Sequence, residues 1–315
     1  MRVEATTVRS ILTRASGYLD GIASHSLQPY RGCPFGTSLC GVGCYVRHAR
    51  HLMGGRVWGT FLDARVNAAE AYREQVDRER RWARRSRGRF GIFLSSATEP
   101  FPPQEDRLGI TRSVLGALRD EPPDLLIVQT HSHRVSAEAP LLVDLAGRCE
   151  LRVHLSIETD RDRLPGLPGH ASPISRRFEA AALLKRSGLH VVVTVAPLLP
   201  IADPDGFFSR VAEAADAVVL DHFIGGDGSP AGSRTLQTGL PAAMAQIDPD
   251  SLTIEYRDRM AEVAERHLPG RVGIGRDGFA GRWLGGAGER PPGFDLRKGG
   301  GTIGGGNVAR CRPIG

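Results

Sequence analysis

The sequence predicts an α/β fold: a partial (β/α)6 TIM-like barrel on a parallel sheet, with a small C-terminal extension. Three observations point there. Short apolar runs bounded by turn residues alternate with longer charged stretches of helical character. Such alternation implies parallel strands joined by right-handed helical crossovers. Each apolar run is also followed at once by polar residues, and in barrels of this kind the chemistry gathers at the C-terminal strand ends.

The strands are read in order as Ser26–Tyr30, Phe90–Ser95, Leu125–Gln129, Leu151–Ser156, Val191–Val195 and Ala217–Leu220, with Arg271–Gly275 a weaker seventh. Their nearly unbroken apolar character suits a sheet covered on both faces or closed on itself. Helices are expected over Asp63–Arg85, Gln104–Arg119, Glu138–Ala146, Ser175–Ser187, Asp205–Ala215 and Asp250–His267. Gly188 follows its helix as a C-terminal cap, with Lys185 and Arg186 in the last turn. The chain therefore divides into an N-terminal extension (1–25), the barrel (26–225), a helical C-terminal region (226–284) and a tail (285–315). The glycine-rich tail reads as flexible.

Composition excludes several classes. No run of about 18 apolar residues is present, so no membrane span is expected. The first residues are charged and lack a secretory pattern. Five cysteines, three of them within twelve positions, argue for metal binding rather than a disulfide framework, in a reducing compartment with the cytoplasm as default. The net charge of +6 would attract phosphates, but it is carried almost wholly by arginine, as compositional bias alone produces.

The three cysteines lie in Gln28-Pro-Tyr-Arg-Gly-Cys33 and the following stretch to Cys40 and Cys44, with six and three residues between them. Gly32, Gly36, Gly41 and Gly43 are read as supplying positive-φ freedom for wrapping a bulky group. Cysteine thiolates are the usual ligands of iron–sulfur clusters, and three ligands leave one iron open. A structural zinc site competes. His48 stands four residues after Cys44, and Cys40, Cys44 and His48 at i, i+4 and i+8 fit one helical face, with Cys33 completing a Cys3His set. That alternative would be a zinc-binding module on an α/β scaffold, with nucleic acid a candidate partner.

The sequence resembles the radical S-adenosylmethionine (SAM) superfamily, in the branch related to spore photoproduct lyase. The resemblance rests on Gln28-Pro-Tyr-Arg-Gly-Cys33, Cys44-Tyr-Val-Arg47 and Thr98-Glu-Pro-Phe-Pro-Pro-Gln-Glu105. It continues through Ile110-Thr-Arg112, Thr130-His-Ser132, Leu155-Ser-Ile-Glu-Thr159, Arg177 and Ala196-Pro-Leu-Leu-Pro200, in order over roughly residues 20–225. Departures are the wider cysteine spacing, Gly43 where an aromatic usually precedes the last cysteine, Glu99 for Asp, and His131 where Lys is usual. No cysteine stands just beyond the second strand, and Cys149 precedes the fourth.

The resemblance implies that Cys33, Cys40 and Cys44 hold a [4Fe–4S] cluster whose open iron is chelated by SAM. Reductive cleavage of SAM would then yield a 5′-deoxyadenosyl radical that abstracts hydrogen from a substrate. The substrate would be a nucleic-acid lesion or a small molecule, and the electron would come from a reductant such as flavodoxin or ferredoxin. By position, Thr98 and Glu99 would receive the SAM ammonium, His131 and Arg177 its carboxylate, and Ser156 and Glu158 the ribose hydroxyls. Val195 and Pro197 would line the adenine edge, with Tyr45 nearby. Each has a plainer reading: Glu99 before a proline also suits a turn cap, Arg177 a solvated helix charge, His131 a surface residue, and Ser156 a strand-end partner for the backbone. Asp221 and His222 follow the sixth strand at the same rim.

Overall fold

The computed structural model describes residues 1–285. Eleven strands occur among them: β1 Arg2–Thr6, β2 Leu12–Arg14, β3 His25–Leu27, β4 Tyr30–Gly32, β5 Phe61–Arg65, β6 Gly91–Leu94, β7 Leu125–Thr130, β8 Glu150–Ser156, β9 His190–Val195, β10 Ala217–Leu220 and β11 Val272–Ile274. The main sheet runs β2-β3-β6-β7-β8-β9-β10-β11. From β3 to β11 all neighbours are parallel and follow chain order without reversal. That singly wound order, with helices in the crossovers, is a partial α/β barrel.

Strand alternation divides the apolar residues between two faces. Ile92, Leu94, Leu126, Val128, Val153, Leu155, Val191, Val193, Val218 and Leu220 pack into the large cluster that includes the helices. The residues between them, Phe93, Ile127, Val192 and Val219, form a separate cluster with Ile22 and Phe279. The helix Ala68–Arg87 ends at Gly88 (φ 77°), and Gly188 beyond the helix Ile174–Arg186 also has positive φ (83°), as a left-handed cap requires.

Several boundaries differ from expectation. The first strand splits: His25–Leu27 pairs in the barrel, whereas Tyr30–Gly32 leaves for a small sheet ordered β1-β5-β4. Pro29 stands at the break, where it has no N–H to give a ladder. The helix expected from Asp63 begins at Ala68 instead. Asp63 is central in β5, buried, and held by Arg56 through two hydrogen bonds of 2.7 and 2.5 Å. Charge in that stretch therefore masks a strand. The helix expected over Gln104–Arg119 is two, Glu105–Leu108 and Ile110–Asp120, broken at Gly109 (φ 61°). The region before residue 26 contributes β1 and β2. The expected glycine-rich tail lies outside the described residues apart from Gly285. No described helix is long and apolar enough to cross a membrane.

Candidate active site

The loop after β4 carries the three cysteines through a 3-10 turn, Pro34–Thr37, and a short helix, Leu39–Val42. Only Gly32 has a positive φ (81°), and a Cβ there would stand 2.4 Å from the Phe61 carbonyl oxygen. Gly36 and Gly41 are needed for space, which corrects the positive-φ reading. A Cβ on Gly41 would meet the Gly36 carbonyl group at 2.2 Å, and one on Gly36 would meet Gly59 Cα at 2.4 Å. Three backbones thus stack in contact, and this stacking folds the extra residues between Cys33 and Cys40. Gly43 lies against Leu240, whose side chain occupies the room an aromatic would need.

The thiols face one cavity of about 220 Å³, room for on the order of fifteen waters and hence ligand-sized. Burial, then the proximity of the Cys44 thiol, pushes Cys33 and Cys40 upward, and burial lifts Cys44 to about 11. The remaining wall comes from the C-terminal strand ends: Ser95 to Glu99 after β6, Gln129 and His131 at β7, Ser156 at β8, Ala196 and Pro197 after β9, and Asp221 and His222 after β10. Ser95, Gln129, Ser156 and Asp221 each lie two residues beyond the inner-face positions Phe93, Ile127, His154 and Val219. They continue that face as a polar layer.

Glu99 is buried. Its Oε1 accepts from Phe101 N (2.9 Å) and Thr130 Oγ1 (2.5 Å), and its Oε2 from His131 N (2.9 Å). Burial raises its pKa against these bonds and the charge of His131. Glu158 is also buried; burial alone would raise it, yet the Arg177 guanidinium and His131 hold it well below the carboxylate range. His131 Nδ1 lies 2.7 Å from Glu158 Oε1, and Arg177 Nη1 donates to Glu158 Oε2 at 2.7 Å. Ser156 Oγ shares a polar triad with Gln129 and Thr194. Tyr45 donates to the Ser96 carbonyl at 2.5 Å, and Gln28 holds the same loop through Ser96 Oγ and Ala97 N.

Of the residues singled out in the sequence, Cys33, Cys40, Cys44, Tyr45, Thr98, Glu99, His131, Ser156 and Pro197 line this cavity, and Glu158 lines an adjoining one. Val195 and Arg177 line neither. Val195 points into the helix-side core. Arg177 is 1% exposed and binds Ser156 O, Glu158 and His170, so neither solvated charge nor direct ligand contact describes it; it positions Glu158. Sequence reasoning missed Tyr18, Trp58, Gln129 and Phe279 in the wall. Only Gln129 carried a signal, the two-residue step from Ile127.

The motif residues outside the cavity form its support. Buried Tyr30 donates to Glu105, whose Oε1 accepts from Arg112 N (3.0 Å), while Arg112 pairs with Glu138 at 2.7 Å. Thr111 Oγ1 donates to the Pro100 carbonyl at 2.5 Å, directly after Glu99.

The Cys3His zinc reading is not supported. Cys40 lies in a helical turn, but Cys44 has left helical geometry (φ −69°, ψ 117°), so Cys40, Cys44 and His48 do not share one helical face. Among the described residues, no three His, Cys, Asp or Glu side chains are gathered as one ion would require. Cys33, Cys40 and Cys44 do line one cavity, and thiolates are the usual donor set of an iron–sulfur cluster.

No protein-family model matches the chain, and no curated protein matches it. Solved structures do. Spore photoproduct lyase complexed with dinucleoside spore photoproduct is 15% identical, with a TM-score of 0.57 over 86% of this chain and 81% of that one. A variant with bound AdoMet and dinucleoside spore photoproduct is 15% identical, with a TM-score of 0.55 and the same coverage. The chain has the spore photoproduct lyase fold. The resemblance read in the sequence is thus matched in three dimensions.

Proposed function

We propose that this protein is a radical SAM enzyme, in which Cys33, Cys40 and Cys44 hold a [4Fe–4S] cluster and the strand-end residues bind SAM. The observation that carries the proposal is the convergence of three thiols and the polar ends of β6 to β10 on one cavity. An AdoMet-bound structure of the same fold supports it. When bound, the cluster and SAM would together supply one-electron reductive cleavage of the sulfonium, giving methionine and, once a hydrogen atom is taken from substrate or solvent, 5′-deoxyadenosine.

The chain's own residues bind and orient. Glu99, fixed by three donors, presents a carboxylate to an ammonium group. Glu158, kept ionised by Arg177 and His131, suits hydroxyl donors. Thr98, Tyr45, Ser156 and Pro197 complete the SAM side of the wall. Phe35, Val46 and Trp58 shield the thiols from water. Residues 26–225 carry most of the catalytic barrel, β11 from the C-terminal region extends its sheet, and 226–284 close the far wall through Asp227, Thr235 and Phe279. A one-electron donor such as flavodoxin or ferredoxin is the required partner, in a reducing compartment such as the cytoplasm. The lyase structures hold a dinucleoside photoproduct, which makes a nucleic-acid lesion one candidate substrate and a small molecule the other.

The test is anaerobic iron–sulfide reconstitution, reduction in the presence of SAM, and quantification of 5′-deoxyadenosine. Wild type is expected to release it and a Cys33/Cys40/Cys44 triple alanine variant is not. Equal release from both would overturn the proposal.

A further inference from the structure

We propose that the substrate is a small molecule with a cationic amine head that pairs with Asp221 and an apolar body that lies against Phe93 and Phe279. This names the substrate class of the radical SAM site and rests on that reading for its chemistry.

The charge of the wall is the first argument. The chain contains 41 lysines and arginines, yet among the described residues none lines the cavity. Glu99, Asp221 and Asp227 do. A phosphate-bearing substrate would meet carboxyl groups in the lining itself, while Arg234, Arg257 and Arg276 stand behind it, and like charge at the lining selects against anions.

Hydrogen bonding singles out Asp221 among the three. Asp227 is held by Ser229 N, Ser229 Oγ and Thr235 N, and Glu99, with three donors of its own, is the group assigned to the SAM ammonium. Asp221 receives one side-chain donor, Tyr18 OH at 3.0 Å, whereas a carboxylate has room for about four. Burial lifts its pKa to about 7 against the Tyr18 bond and the charge of Arg257. An amine head would supply further donors to this carboxylate and keep it ionised.

Unpartnered buried groups in the same wall are the second, independent argument. Ser95 is 4% exposed, its Oγ has no partner, and its backbone sits at φ 70°. A non-glycine residue held there commonly marks a functional position. Gln129 Oε1 is also unpartnered. Both face the cavity, where a ligand's donors would satisfy them. The apolar wall is built from Phe93 and Phe279, with Tyr18 edge-on to Phe279 at 6.0 Å.

The test is calorimetric titration of the reconstituted, SAM-loaded protein with 2-phenylethylamine, 2-phenylethanol, phenyl phosphate and a thymidine dinucleotide. The amine is expected to bind at least about tenfold tighter than the alcohol, as a charge-assisted hydrogen bond provides, with phenyl phosphate and the dinucleotide weakest. Asp221→Asn should erase the preference for amine over alcohol, while Tyr18→Phe, which leaves the carboxylate in place, should retain it. Tighter binding of either phosphate-bearing probe, or an amine preference that survives Asp221→Asn, overturns the proposal. Release of 5′-deoxyadenosine by the same wild-type preparation separates the two claims. Cleavage without amine preference sinks the substrate class alone, and amine preference without cleavage sinks the radical SAM reading alone.

Discussion

Replacing Gly41 with alanine drives a methyl group into the backbone of the cysteine loop. The added Cβ would lie 2.2 Å from the carbonyl carbon and oxygen of Gly36, whereas ordinary contact begins at 3.4 Å. Gly36 cannot retreat, because it already rests on Gly59. Overpacking a core costs about 1–3 kcal/mol when side chains can shift. Here the obstacle is backbone, so a cost of about 3 kcal/mol is expected, or roughly 4–5 °C in melting temperature for a chain of this size. The loop between Cys33 and Cys44 should open to relieve the clash, and iron incorporation should fall with it. Iron content after anaerobic reconstitution and thermal unfolding of the metal-free chain are the two assays. Gly116→Ala is the control: its Cβ meets nothing within 4 Å in the helix Ile110–Asp120, so it should stabilise by about 0.5–1 kcal/mol. A Gly41→Ala protein that loads iron and melts like wild type would refute the stacking argument.

Glu79 joins the helix Ala68–Arg87 to β2 and β3 through Arg14 and His25, at 2.8 and 3.2 Å. Burial opposes its ionisation, but Arg14, Arg78 and His25 bring it down to about 2, well below the usual carboxylate range. A depressed carboxyl stabilises above its unfolded value and loses that stability as pH falls toward 2, so wild type should shed about 2 kcal/mol between pH 4.5 and 3 from this group. Urea unfolding of Glu79→Gln should lack that slope, and an unchanged slope would count against the assignment. Burial lowers His25, so its preference for the neutral form destabilises the fold further below pH 6.5 in both proteins. Arg177→Met strands Glu158 without its guanidinium and should cost about 3–5 kcal/mol in urea unfolding at pH 7. Arg177→Lys should recover only part of this, because one ammonium cannot reach Ser156 O, Glu158 and His170 together. A loss below about 1 kcal/mol for the methionine variant would contradict the positioning role. Ser95→Gly removes the strain at φ 70° and should raise stability by about 1 kcal/mol in the same assay; a loss would show the backbone to be unstrained.

The barrel was legible because its strands are short runs such as Val191–Val195, apolar on both faces and closed by turn residues. The strand-end rule also points to the part of the wall that runs from Thr98 to Pro197. The small sheet was not legible. Phe61–Arg65 carries Asp63 and Arg65 and runs into a charged helix, and the partner that buries Asp63 is Arg56, fixed only by tertiary structure. The glycines of the cysteine loop were visible but misread, because close approach of Gly36, Gly41 and Gly59 leaves no trace in spacing. Arg177 matched the motif, yet its burial behind Glu158 depends on how the helix Ile174–Arg186 packs on β8. Tyr18 and Phe279 come from opposite ends of the described chain, and no local pattern could unite them.

On the proposed reading, Cys33, Cys40 and Cys44 bind an iron–sulfur cluster. Iron, sulfide and zinc content of the anaerobically reconstituted protein, read with its visible and low-temperature EPR spectra, tests it most directly. Expected are iron and sulfide in the ratio of a [4Fe–4S] cluster, a brown protein whose colour bleaches on reduction, and loss of that signal when any one of the three cysteines becomes alanine. A colourless protein holding one zinc per chain, or a cluster that persists in all three single variants, would contradict it.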